Sequence, residues 1–290
     1  MGERKEDPNW NPRMRNQGNP HAPRDTRQVP GQANVMPAQG KSVPRPKYFG
    51  AKYRLGAPVR PNSIIFDNGF LDKFKPRKPT AADYIALAKW QTKLELGEAL
   101  RPDLEEACKA YRHFLQGGGL PRTFSYESYV MNDNSGTTTL ANAMLDIQEG
   151  AEIIWESDKS VKKFCMTGGQ ISCGSNTMFP YPETENWQKA IGGHIIWLSG
   201  DVNVSDKNGE TWLRLDMVLH AEDRFNFNPP KNGIKQRDIV TGIPDDENGI
   251  FEITGLAKQY THTSELKRII EWKYGTLVTG GTSTATIPQR

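Results

Sequence analysis

The chain has 290 residues, a formal net charge of +3, and 24% charged against 36% apolar residues. That length supports one large domain or two small ones with an ample core. Three cysteines, Cys108, Cys165 and Cys173, exclude a disulfide-stapled secreted scaffold, and no run approaches the roughly 18 apolar residues of a membrane-spanning helix.

The charge is unevenly spread. Residues 1–60 hold twelve Lys/Arg against four Asp/Glu, and the remainder holds 25 against 30. The same sixty residues carry nine of the twenty prolines and almost no apolar clusters. Such a segment cannot bury enough apolar surface to offset its ordering entropy, so residues 1–47 are expected to form a disordered basic tail. Met1-Gly2-Glu3-Arg4-Lys5-Glu6-Asp7 leads into no apolar core. A cytoplasmic product without a secretory signal peptide is expected, and any export would be signal-independent. Residues 48–79, with the short apolar run Ile64-Ile65-Phe66, read as an extended arm that docks on the domain.

A first helix is expected after Pro79, capped by Thr80, with Tyr84, Leu87, Ala88 and Leu94 near helical spacing. A second follows Arg101-Pro102, with an apolar face of Leu104, Cys108, Tyr111 and Leu115, and stops at Gln116-Gly117-Gly118-Gly119. A third spans about 137–155, with Leu140, Ala143, Met144, Ile147, Ala151 and Ile154 on one face. All three stripes read as core. The helical subdomain is thus set at 80–160 and a β subdomain at 161–280, with 281–290 as a disordered C-terminus.

After Gly168 the period changes to two. Residues 194–204 read as a strand, and Asn208-Gly209 is the pair that tight hairpins prefer. In the next strand Leu213, Leu215, Met217, Leu219 and Ala221 alternate with Trp212, Arg214, Asp216, Val218 and His220. A long loop is expected over 222–249, with short strands at about 250–257 and 264–274; the latter puts Leu266, Ile270, Trp272 and Tyr274 on one face with Arg268. Helices first and hairpin-linked strands afterwards predict an α+β fold, N-terminal helices packed on a C-terminal antiparallel β-meander.

The densest polar cluster is His220-Ala221-Glu222-Asp223-Arg224, running into Phe225-Asn226-Phe227. An imidazole beside carboxylates is the equipment of general acid–base catalysis, and His220, Glu222 and Asp223 are the candidate catalytic residues. A solvated sheet face with ordinary cross-strand pairs is the competing reading. The hairpin places residues near His194 opposite residues near 220, with one to three residues of slack, so His194 is expected at the same cleft. Two histidines leave a zinc site one ligand short, which Glu222 or Asp223 would have to supply. Nothing specifies a cofactor. Asp245-Asp246-Glu247-Asn248-Gly249 lacks helix–loop–helix calcium spacing and reads as a turn. Met166-Thr167-Gly168-Gly169-Gln170 is not a phosphate loop, since no Gly-Lys-Ser/Thr follows.

The stretch from Asn186-Trp187-Gln188-Lys189-Ala190-Ile191-Gly192 through His220-Ala221-Glu222-Asp223 to Glu252-Ile253-Thr254-Gly255-Leu256 resembles the C-terminal domains of bacterial polymorphic toxins and bacteriocin-like effectors. Asp223-Arg224-Phe225-Asn226-Phe227-Asn228-Pro229 is faintly similar to the active loop of the colicin M family, where an Asp-x-Tyr-Asp segment and a downstream His-Arg pair cleave a lipid-linked envelope precursor. Phe225 stands where that family has Tyr, Asn226 stands where it has the second Asp, and Arg237-Asp238 is the nearest thing to the His-Arg pair. The resemblance implies an antibacterial effector whose tail engages a delivery apparatus or carrier, with an immunity protein as a further partner. Arg237, Phe225, Asn226 and His194 are then the substrate-contacting candidates. The alternative is a non-catalytic interaction module using loop 222–249, with Phe225 and Phe227 as contacts. Nucleic-acid binding through the tail is disfavoured, because its cations are scattered among prolines.

Overall fold

The computed structural model describes residues 52–66, 75–174, 177–227 and 245–283. The expected tail, Arg237 and its flanking residues 228–244, and residues 284–290 lie outside the described residues. In chain order the elements are β1 (Arg54–Leu55), α1 (Ala81–Leu100), α2 (Glu105–Gln116), β2 (Arg122–Thr123), α3 (Tyr126–Asn132), α4 (Asn134–Ser157), β3 (Lys163–Thr167), β4 (Ile171–Cys173), α5 (Glu185–Ala190), β5 (His194–Lys207), β6 (Glu210–Phe225), α6 (Asp245–Thr254), β7 (Tyr260–Lys273) and β8 (Thr282–Ser283). The fold is α+β, as expected. Helices occupy much of 81–157, and one largely antiparallel sheet in the order β1-β3-β5-β6-β7-β2 contains the hairpin meander. β4 pairs with β5, β8 pairs with β7, and β2 runs parallel to β7.

The helix boundaries follow local chemistry. Thr80 takes the extended N-cap conformation of α1. The Asp83 carboxylate accepts from the Thr80 backbone N–H at 2.7 Å and from both Nη atoms of Arg77. These bonds, Arg77 foremost, hold Asp83 well below the usual carboxylate range. α2 ends where Gly118 adopts φ +62, a conformation glycine takes without penalty. α4 is capped by Asp133, which accepts from the Ser135 N–H at 3.0 Å.

Asn208 (φ 58) and Gly209 (φ 80) form the tight turn that both positive angles require. From it β5 and β6 pair without interruption, Lys207↔Glu210 through Ile195↔Glu222. On one face of the sheet Leu213, Leu215, Met217, Leu219 and Ala221 join Leu198, Val202, Leu266, Ile270 and Trp272. The α4 stripe Leu140, Ala143, Met144, Ile147, Ala151 and Ile154 completes this core. Each fully buried aliphatic side chain of this kind contributes roughly 1.5–3 kcal/mol. A second core gathers Trp90, Leu94, Tyr111, Phe114, Phe225, Phe227, Phe251 and Tyr260.

Three expectations change. The strand expected at 250–257 is α6 through Thr254. Its short apolar run does not distinguish the two periods, and long-range bonds decide: Trp90 Nε1 donates to Glu247 at 2.8 Å and Tyr111 OH to Asn248 at 2.5 Å. The loop expected over 222–249 is accordingly strand to Phe225 and helix from Asp245. On α1, Trp90 and Leu94 face inward while Tyr84 is 54% exposed, with Ile85, Leu96 and Leu100 also outward. Only a narrow strip of that helix is covered. α5 and α6 both fall inside the segment set as the β subdomain.

The arm is part of the fold from Tyr53 onward. That ring is fully buried and its hydroxyl donates to Asp146 of α4 at 2.5 Å. Gly150 in the middle of α4 and Gly168 after β3 make room for it: a Cβ on either would overlap the ring. In an ordinary helix interior Gly→Ala stabilises by roughly 0.5–1 kcal/mol. Gly150→Ala is instead expected to destabilise by about 1–3 kcal/mol through overpacking. Urea denaturation checks this, and an unchanged or raised midpoint would remove the arm from the core.

Candidate functional site

A strand period of two divides the predicted site residues between the two faces of the sheet. His220 and Glu222 share one face with Trp197, Ser199 and Ile195, because Trp197 pairs with His220 and Ile195 with Glu222. Asp216 and Arg214 lie further along that face, as expected. His194 and Asp223 project from the other face, toward the helices. The expectation that His194 faces the cleft of His220 is therefore not met, and the zinc arrangement built on that pair is not formed. With Ile195 opposite Glu222, residues 194 and 220 differ in parity across the hairpin and so lie on opposite faces. Among the described residues no three His, Cys, Asp or Glu cluster closely enough to hold a metal ion.

On the first face the geometry centres on His220. Its Nε2 lies 2.9 Å from Ser199 Oγ and its Nδ1 3.1 Å from Oε1 of Glu265, its partner on β7. The Trp197 ring lies parallel to the imidazole at 3.6 Å between centroids. With Nδ1 protonated and donating to Glu265, Nε2 accepts from the Ser199 hydroxyl. That is the tautomer a general base needs. Burial holds His220 below the ordinary imidazole range, partly offset by Glu265 and Glu222. Glu222, 8% exposed, receives Arg60 Nε at 2.8 Å on both oxygens and Nη2 at 2.8 Å. Trp197 Nε1 adds a longer bond to Glu222 at 3.4 Å. Ser199 itself is fully buried in mid-strand.

The other described candidates lie in buried or half-buried surroundings. His194 is fully buried, with Nδ1 3.1 Å from the Gly192 carbonyl and Nε2 3.0 Å from Tyr126 OH. Burial pushes it down to about 4. Asp223 is 4% exposed and pairs across the sheet with His262. Phe225 and Phe227 lie in the second core, Phe225 stacked on Tyr260 at 5.3 Å. They are not exposed contacts, because β6 runs on to Phe225 and both rings pack in one core with Tyr111 and Phe114 of α2. Asn226 is half-buried beside them, and Arg237 lies outside the described residues. All three cysteines are free thiols. An open hollow of about 410 Å³ is lined by Lys109, Arg112, His113, Gln116 and Arg122. Glu98, Glu105 and Glu106 pair its cations, so it presents no net positive field.

Sequence reading missed Ser199, Glu265, Trp197 and Arg60. Trp197 and Ser199 had a signal: a hairpin closed at Asn208-Gly209 pairs 197 with 220 and leaves Ser199 one step along the same face. Glu265 needed the β6–β7 register, and Arg60 a contact 162 residues distant. No known protein family, curated protein or solved structure matches the chain.

His262 is also fully buried, its Nε2 accepting from Arg122 Nη1 at 2.6 Å; burial, then the Arg122 cation, push it down to about 3. Unfolded histidine titrates near 6.5. Between the two values the unfolded chain binds the extra protons, so stability must fall as pH falls. From pH 7 to 5, above the carboxylate range, each of His194 and His262 is expected to remove up to about 1.4 kcal/mol per pH unit below 6.5. Chemical denaturation at the two pH values measures the slope, and a flat or opposite slope would refute neutral burial of the pair.

Proposed function

We propose that the chain is a toxin-like bacterial effector that acts on a target-cell component by hydrolysis, with Ser199 as nucleophile, His220 as general base and Glu265 as the carboxylate that orients it. The observation that carries the reading is the continuous relay of 2.9 and 3.1 Å between hydroxyl, imidazole and carboxylate. A serine hydroxyl is a weak nucleophile until a base takes its proton, and the base must hold the correct tautomer. The stacked Trp197 fixes the ring plane, and partial burial keeps His220 neutral and able to accept that proton. The effector class rests on the toxin-like resemblance of roughly residues 185–275. The relay replaces Asp223 as the chemical centre, since Asp223 faces the helices.

A second reading follows from the complete burial of Ser199. In it the relay is a polar ladder that fixes sheet register, and the protein is a non-catalytic module. Its original contacts, Phe225 and Phe227, are core residues, so its binding surface would have to be elsewhere.

Production of the protein in the cytoplasm and, separately, in the periplasm of a susceptible bacterium distinguishes the two. The wild type is expected to arrest growth in one compartment. Ser199→Ala and His220→Ala should each lower the killing activity on the order of a hundredfold or more, and Glu265→Gln less, with folding checked by circular dichroism. Growth unaffected by the wild type in both compartments, or toxicity retained by both alanine variants, removes the hydrolytic reading.

A further inference from the structure

Ser199 has no exposed surface although it stands on the sheet face opposite the helices. The chain's own arm packs on this face beside it. After β1 the arm crosses to this face and touches it in three places around the relay. The Val59 backbone N lies 3.4 Å from Oγ1 of Thr167, the β3 residue that pairs with Ser199. Arg60 clasps Glu222 at 2.8 Å. Ile64 and Phe66 bury Ile195 and Trp197 in a small core separate from the other two. Trp197 in turn carries His220 on its ring.

The attachment is uneven along its length. Tyr53 is anchored in the main core by the Asp146 bond. Gly56, directly after β1 and at φ +134, takes a backbone angle that other residues rarely adopt. The Gly56 N–H donates to the Cys165 carbonyl at 2.9 Å, and from there to Phe66 the long-range ties among the described residues are the Val59–Thr167 contacts, the Arg60 pair and two apolar side chains. Arg60 also donates to the Ile64 carbonyl at 3.3 Å, which folds the segment upon itself. A tethered segment with few ties is the kind that opens locally while the rest of a domain stays folded.

We propose that residues 58–66 are a strap that shuts the Ser199–His220 face, and that Arg60, Ile64 and Phe66 stand where a cationic, apolar-flanked peptide segment of the substrate binds when the strap lifts. The inference rests on the hydrolytic reading of this face for its meaning, and on the arm's contacts for its geometry. The chemistry of the occupant is set by what the strap leaves behind. A carboxylate as buried as Glu222 cannot be stripped of its cation without a desolvation penalty. Ile195 and Trp197 would likewise lose their apolar cover. A replacement therefore brings a guanidinium or ammonium and, a few residues on, an aliphatic or aromatic side chain.

A thiol at the relay reports the cover without depending on catalysis. Ser199→Cys is placed in a Cys108→Ser, Cys165→Ser background, and maleimide labelling at position 199 is followed by peptide mass spectrometry. With the strap intact, labelling should be slow. Adding Arg60→Ala and Phe66→Ser should speed it at least about tenfold, and Glu222→Gln, which leaves the strap's own sequence intact, should do the same. A synthetic peptide of residues 58–66 should slow it again in the opened chain, and the same peptide with Ala for Arg60 should not. Equal labelling rates in the strap-intact and Glu222→Gln chains, with cooperative melting in both, overturn the strap. Fast labelling that the peptide cannot slow overturns the assignment of the occupant. A fluorophosphonate that fails to modify Ser199 in the chain opened by Arg60→Ala and Phe66→Ser, where the thiol labels fast, overturns the hydrolytic reading and leaves the strap standing.

Discussion

The register of the β5–β6 hairpin is the constraint on which the rest of the molecule depends. Asn208 and Gly209 close it with two positive φ angles, and the thirteen pairs that follow are uninterrupted. A slip of one residue would exchange the faces. Leu213, Leu215, Met217 and Leu219 would then point away from α4, and the Trp197–His220 stack would be lost. The hydrophobic core and the polar relay are therefore specified by one pairing. Neither can be changed without the other, because each occupies alternate residues of the same two strands.

That alternation also sorts the histidines by environment. His194 and His262 point among helices, each with a single tautomer supported by its neighbours and no room for charge. His220 points the other way, keeps 14% of its side chain exposed, and sits between a hydroxyl and a carboxylate that is itself mostly exposed. Burial lowers all three. Of the three, only His220 has a carboxylate hydrogen-bonded to its ring to stabilise an imidazolium once it forms.

What was legible in the sequence was what depends on short range. The cap at Thr80, the stop at Gly117-Gly118-Gly119, the α4 stripe, the turn at Asn208-Gly209 and the alternation in β6 all follow from residues within a few positions of one another. What was not legible depends on distant partners. α6 is helical because Trp90 and Tyr111 hold Glu247 and Asn248. Phe225 is core and not an exposed contact because α2 lies over it. The face of α1 was misread because apolar residues surround that helix, and only the neighbours show which of them are covered. His194 is the instructive case: the register of the hairpin sets it level with residue 223 and not 220, and that odd offset of three puts it on the other face.

The arm changes the meaning of the charge asymmetry as well. A basic N-terminal stretch ahead of an acidic domain invites a search for an acidic partner outside the molecule. Within the described residues, two cations toward this end are matched to carboxylates of the domain itself: Arg60 to Glu222 and Arg77 to Asp83. Both carboxylates are nearly buried, at 10% and 9% side-chain exposure, while both guanidinium groups are nearly half exposed. An ion pair of that shape is asymmetric. The carboxylate needs a cation because it has lost its water, whereas the guanidinium has not and can leave. The domain therefore requires some positive group at Glu222 but does not require Arg60 in particular. A segment that satisfies such a site from within the same chain has the advantage of effective concentration over any external competitor, and it yields only to one that matches both the charge and the apolar surface beside it.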